Sequence, residues 1–147
     1  MFFHAYMYGP LQGKLRLYGA RSVHPSGVAL SSDWEVFASI LVRDVGKKLV
    51  AGTDLTLHEV KSAYKGGSYE YQYHKNTGKE KLKKDSEVGH LFFDHRDNLR
   101  HVDLRYAPGS SMKEFFRSGS TTILTPINSD IARTYHFDGL RRMQYYS

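Results

Sequence analysis

From Tyr69 to His74 aromatic and polar side chains alternate one for one, with Tyr69, Tyr71 and Tyr73 set against Glu70, Gln72 and His74. A period of two commits such a segment, here Tyr69 to Lys75, to a half-exposed β-strand. The same period returns later in the chain. Leu91 and Phe93 oppose His90, Phe92 and Asp94, and then Val102, Leu104 and Tyr106 oppose His101, Asp103 and Arg105. With Arg96-Asp97-Asn98 between them, Val88 to His95 and Leu99 to Tyr106 read as a β-hairpin. Further strands are expected at Lys48 to Ala51, Leu55 to Ala63 and Thr121 to Leu124.

Helical signals lie between these strands. Ser32-Asp33-Trp34-Glu35 has the form of a capping box, in which Ser32 caps and Glu35 reaches back, and Val36, Phe37, Ile40 and Leu41 follow as one apolar face up to about Gly46. A second box, Ser111 to Glu114, opens a short helix carrying Phe115 and Phe116. Asn76 to Ser86, with Lys79, Lys81, Lys83 and Lys84, reads as a loop or short helix with a basic surface, and a turn of helix is expected from Ser129 after the break at Pro126. Interleaved strands and helices predict an α/β fold, with a central mixed β-sheet flanked by helices.

A chain of 147 residues suits one domain, so residues 1–147 are taken as a single unit. Residues 1–31, rich in Gly, Tyr and Pro, with short candidate strands around Gly13 to Tyr18, are expected to form an extended N-terminal arm or hairpin. There is no cysteine, which excludes disulfide frameworks and thiolate zinc sites. Lys and Arg outnumber Asp and Glu by 21 to 15, a formal charge of +6 that favours polyanionic partners. The N-terminus lacks the pattern of a secretory leader and no apolar run approaches the roughly 20 residues of a bilayer span, so a soluble, cytoplasmic protein is expected.

The chemistry concentrates between Asp54 and Gly66. On a strand, Glu59 and Lys61 point the same way, and a carboxylate beside an ammonium on one face must stay solvated, pair, or serve a ligand. Mg²⁺ takes one or two protein carboxylates together with waters and phosphate oxygens, so Asp54 and Glu59 are its candidate ligands. Lys61 is then placed to orient the attacking water and offset charge building on a phosphate. An unbroken strand would send Asp54 and Glu59 to opposite faces, so Asp54 must sit in a turn or beyond a bulge. Gly52 and Thr53 mark such a reversal and favour Asp54; Asp44 is the substitute.

A helix, an acid and then Glu-x-Lys on an adjoining strand resembles the PD-(D/E)xK nuclease superfamily, and Glu59-Val-Lys61-Ser62 resembles its type II restriction endonucleases, in particular the small PvuII-like homodimeric enzymes. Gly52-Thr-Asp54 matches the Gly-x-Asp before the Glu-x-Lys strand, and His74-Lys75 matches the His-containing segment that reads bases after it. The likeness spans about residues 35–130 and has residue-level content over 52–75. It implies a restriction-endonuclease-like fold, Mg²⁺ as cofactor, duplex DNA as substrate and a 5′-phosphate product. A homodimer is also the economical way for one small domain both to cut and to recognise. Gln72 and His74 are then the candidates for base edges, and Lys65, Lys75 and Arg96 for phosphates.

Two other readings compete. A β-rich DNA- or RNA-binding module without catalysis would use Tyr69, Tyr71 and Tyr73 as stacking platforms for bases, although such tyrosines more often pack in a core. Asp94-His95 before Asn98 and His101 resembles the core of ββα-metal nucleases, with His95 as general base, but the helix of that motif is missing from the sequence pattern.

Overall fold

The computed structural model describes residues 2–23, 29–46, 54–64, 68–73 and 78–116, and the backbone of 119–124 and 133–138. Its strands form a four-stranded mixed sheet and a separate two-stranded ribbon. β1 (His58–Tyr64) is an edge strand of the sheet and pairs in parallel with β3 (Gly89–Arg96). The chain passes from one to the other through β2 (Ser68–Tyr73) and α3 (Gly78–Asp85). β4 (His101–Ala107) returns antiparallel to β3, and β6 (Arg133–Asp138) pairs antiparallel with β4. β2 pairs antiparallel with β5 (Gly119–Leu124) to make the ribbon.

The hairpin expected from alternation is present, and its period explains why two cores form. Leu91 and Phe93 look to one side of the sheet, where Val60, Val102 and Leu104 join them, while Phe92 looks to the other. On that second side Tyr69, Tyr71 and Tyr73 of the ribbon close over Phe92, Ala107, Met112 and Phe116. The β3–β4 turn holds Asp97, Asn98 and Leu99 at positive φ, a costly conformation for leucine, and Leu99 is buried in the first core.

The first core is covered by helices, and here the expectation for the N-terminus is corrected. The described residues of the expected arm 1–31 are not extended: a π-helical turn (Phe3–Tyr8) runs into α1 (Gly9–Ala20), and residues 24–28 lie outside the described residues. Phe3, Met7 and Leu11 are buried and Leu15 packs beside them, a stripe at every fourth residue, whereas Leu17 is 60% exposed. Gln12 donates from Nε2 to the Asn98 carbonyl (3.0 Å) and ties α1 to the β3–β4 turn. Because Met7 is a core side chain, Met7→Ala should cost about 2–5 kcal/mol by chemical denaturation. On a solvated arm the same change would stay within about 0.5 kcal/mol.

α2 (Ser31–Val42) begins two residues earlier than the Ser32 box implies, and its cap differs. The Leu30 N–H donates to Asp33 Oδ2 (3.1 Å), so neither Ser32 nor Glu35 has the capping role. The buried face is Trp34, Phe37 and Ala38, with Val36 and Ile40 exposed. The helix stops at Arg43, in the left-handed region, rather than near Gly46. Trp34 stacks between Phe93 and His95, at ring-centroid distances of 4.9 and 5.2 Å.

Of the segment expected as a loop or short helix from Asn76 to Ser86, Gly78–Asp85 forms helix α3. Gly78 at its start lies so close to the Tyr73 backbone that a Cβ would come within 2.6 Å of it. α4 (Gly109–Met112) starts ahead of the Ser111 box without a side-chain cap, and a 3₁₀ turn (Lys113–Phe115) follows. β6 was not expected. The expected strand from Lys48 to Ala51, Pro126, the helical turn at Ser129 and Arg141-Arg142 lie outside the described residues. Among those described, no helix is long and apolar enough to cross a membrane.

Candidate active site

The strand expected from Leu55 begins only at His58, because the chain first doubles back on itself. The Leu55 N–H donates to the His58 carbonyl (2.9 Å), and Gly46 and Leu55 form an isolated antiparallel bridge. Leu55 is buried while Leu57 is 64% exposed, so the extended alternation does not reach back to these residues.

This reversal removes the parity conflict between the two acids. Asp54 Oδ2 accepts from the Val60 N–H (2.9 Å), and the Asp54 N–H donates to Glu59 Oε2 (3.3 Å). Asp54 therefore sits against the strand beside Glu59. Lys61, two residues on and on the same face as Glu59, brings Nζ to 3.4 Å from Glu59 Oε1. The structure thus gathers Asp54, Glu59 and Lys61 at the edge strand of the sheet.

Glu59 is 3% exposed, whereas Asp54 and Lys61 are partly open to solvent. Burial, and after it the charge of Asp54, pushes the Glu59 carboxyl up to about 7 against the opposing pull of Lys61. A buried carboxylate with a second acid beside it is eased by a cation. Among the described residues no group of three or more His, Asp or Glu side chains that could hold a metal ion is found. The residues that could contribute to holding one are Asp54 and Glu59, and Mg²⁺ takes one or two protein carboxylates with waters and phosphate oxygens. Two hard oxygen donors with an excess of negative charge suit that ion.

Glu35 of α2 lies within the field of Asp54. Burial first, and the field of Asp54 second, raise its carboxyl above the ordinary value. Asp44, the substitute ligand, is engaged elsewhere: Oδ2 meets His58 Nδ1 (2.8 Å) and accepts from the Leu57 N–H (2.7 Å), while Oδ1 accepts from the Val45 N–H (2.8 Å). Burial alone would raise the Asp44 carboxyl, but these bonds bring it below its usual value.

Behind Lys61 lies a polar chain that the sequence did not disclose. Glu59 pairs in register with His90, and Lys61 with Phe92, so both site residues look toward the ribbon. Lys61 Nζ stands 4.9 Å from the centroid of the Tyr71 ring. Tyr71 Oη meets His90 Nδ1 (2.9 Å), and His90 Nε2 meets the Asp85 carbonyl. Asp85, buried at the end of α3, accepts from Tyr73 Oη (2.7 Å) and Lys81 Nζ (3.4 Å). Burial depresses the His90 pKa and keeps the ring neutral.

The residues assigned to DNA contact are not all in view. Gln72 is exposed on the face of β2 opposite Tyr71, with Nε2 donating to Glu70 Oε1 (3.0 Å). Arg96 is the last residue of β3, four residues beyond Phe92, the partner of Lys61; at strand rise that is about 13 Å. Lys65, His74 and Lys75 lie outside the described residues.

One feature of each competing reading is not found among the described residues. Tyr69, Tyr71 and Tyr73 are each at most 2% exposed, so they pack in the second core and offer no stacking platform. His95 stacks on Trp34 and meets Tyr64 edge-on, and the residues after Asn98 continue as β4 where a ββα-metal site needs its helix.

No family model matches the chain, and no curated protein matches it.

Proposed function

We propose that this chain is a Mg²⁺-dependent endonuclease of double-stranded DNA, related to the PvuII-like type II restriction enzymes of the PD-(D/E)xK superfamily and acting as a homodimer. The observation that carries this reading is the convergence of Asp54, Glu59 and Lys61 on an edge strand. That strand's parallel pairing with β3, by way of a helix, is in keeping with a restriction-endonuclease-like fold. A net charge of +6 supports a polyanionic substrate.

Asp54 and Glu59 would hold the ion. When bound there, Mg²⁺ supplies Lewis acidity toward a phosphate oxygen and makes water a stronger acid. The chain does the rest. Burial keeps bulk water from the Glu59 carboxylate, and the partly exposed Lys61 ammonium hydrogen-bonds the water or the phosphate oxygen on which charge accumulates. Water oxygen adds to phosphorus in line with the leaving group and gives up one proton to solvent, the P–O3′ bond breaks, and the 3′ oxygen takes a proton from solvent to leave as a hydroxyl, so the 5′ end keeps the phosphate.

Incubation with long duplex DNA, with and without Mg²⁺, tests the proposal. Discrete fragments bearing 5′-phosphates should appear only with Mg²⁺. A smear would point to a nuclease without sequence preference, and intact DNA that is nonetheless bound would leave the non-catalytic module.

A further inference from the structure

Lys61 is the only member of the triad whose working atom ends a long flexible chain, so something must hold it. A lysine stem carries four rotatable bonds and about 2 kcal/mol of rotamer entropy. The contact to Glu59 fixes one side of the ammonium, and a second charged partner for it is not seen among the described residues. What lies against it instead is the Tyr71 ring, 4.9 Å away, a distance at which the negative face of an aromatic ring attracts a cation.

Tyr71 has little freedom of its own. Its side chain is fully buried, and Phe116 packs on it with ring centroids 5.0 Å apart. Its hydroxyl is held from the far side. The Asp85 carbonyl can only accept, so His90 must carry its proton on Nε2; Nδ1 is then the acceptor, and Tyr71 Oη donates to it. Asp85 is anchored in turn by Tyr73 and Lys81. The order along this line is α3 backbone, imidazole, phenol, ammonium.

We propose that Tyr71 is a positioning residue for Lys61: its ring face, oriented by the Tyr71–His90–Asp85 hydrogen-bond chain, holds the ammonium beside Glu59 where the scissile phosphate is to be met. This rests on the nuclease reading for its use, but the contact itself stands apart from that reading. Tyr71 acts through Lys61. The pairing assigns a function to one of three alternating tyrosines that would otherwise be only core.

Two readouts test it. In metal-free protein, NMR should find the Lys61 ε-methylene protons shifted upfield by the ring current of Tyr71. The shift should persist in Tyr71→Phe, which keeps the ring, and vanish in Tyr71→Leu. In the cleavage assay Tyr71→Leu should lower kcat roughly 10-fold with KM little changed, and Tyr71→Phe should restore most of that loss. A wild-type spectrum without the upfield shift overturns the proposal even if Tyr71→Leu fails to fold. So does a folded Tyr71→Leu that cleaves as fast as Tyr71→Phe, or a loss confined to KM. Wild-type protein that shows the shift but cuts no DNA removes the nuclease reading, and with it the catalytic use of the contact, which separates the two failures.

Discussion

Glu59→Ala or Lys61→Ala should slow Mg²⁺-dependent DNA cleavage by roughly 10³-fold or more, while leaving the protein folded and able to bind DNA. The size follows from what each side chain does. Without Glu59 one of two anionic donors is gone, and Asp54 alone must hold a doubly charged ion that prefers to keep its water. Without Lys61 the charge that develops on the phosphate loses its ammonium partner. Neither loss should unfold the chain. Lys61 is partly exposed, and removing Glu59 relieves a carboxylate that is itself unfavourably buried. A gel assay of single-turnover cleavage together with a binding titration checks both halves. A rate within a few-fold of wild type for either variant would mean that the site lies elsewhere.

Glu59→Gln should stabilise the metal-free protein at neutral and alkaline pH. A carboxyl whose pKa rises from 4.5 to about 7 on folding favours the folded state only while protonated. Between those two values the folded chain binds more protons than the unfolded one, so stability is fully present below about pH 4.5 and falls as pH rises through 7. The full excursion corresponds to about 3 kcal/mol. His90 works in the opposite sense, because its pKa is lowered by burial. The difference between wild type and Glu59→Gln is therefore the quantity to follow. Urea unfolding of both proteins at pH 5 and pH 8 should give curves that diverge with pH, the variant being the more stable at pH 8. Added Mg²⁺ should narrow the gap by binding the ionised wild-type pair. Parallel pH profiles would show that Glu59 is ionised throughout.

What could be read from the sequence, and what could not, divides along the range of the interactions. The β3–β4 hairpin and β2 were legible because their period of two is local and both faces of the sheet are apolar. The N-terminal helix was misread for a reason visible in the residues. Leu15 and Leu17 suggest a strand, yet Phe3, Met7, Leu11 and Leu15 recur every fourth position and end on the same core. On α2, assigning Trp34 to the capping region turned the predicted apolar face toward Val36 and Ile40 and away from Ala38.

Asp54, Glu59 and Lys61 could be grouped from the sequence because they lie within eight residues; the reversal expected at Gly52-Thr53 lies outside the described residues. The chain from Tyr71 through His90 to Asp85 was not legible in the sequence. It joins β2, β3 and the end of α3, and it exists only once the ribbon closes over Phe92. Strand alternation placed Tyr71 in a core but gave no hint that one face of its ring meets an ammonium.

Calorimetric titration of Mg²⁺ into the metal-free protein near pH 7, repeated in buffers of different ionisation heat, tests the carboxylate pair most directly. The account predicts one ion bound per chain with release of protons from Glu59, and loss of both signals in Asp54→Asn and in Glu59→Gln. Variants that bind the ion as the wild type does, or wild-type binding without proton release, would contradict it.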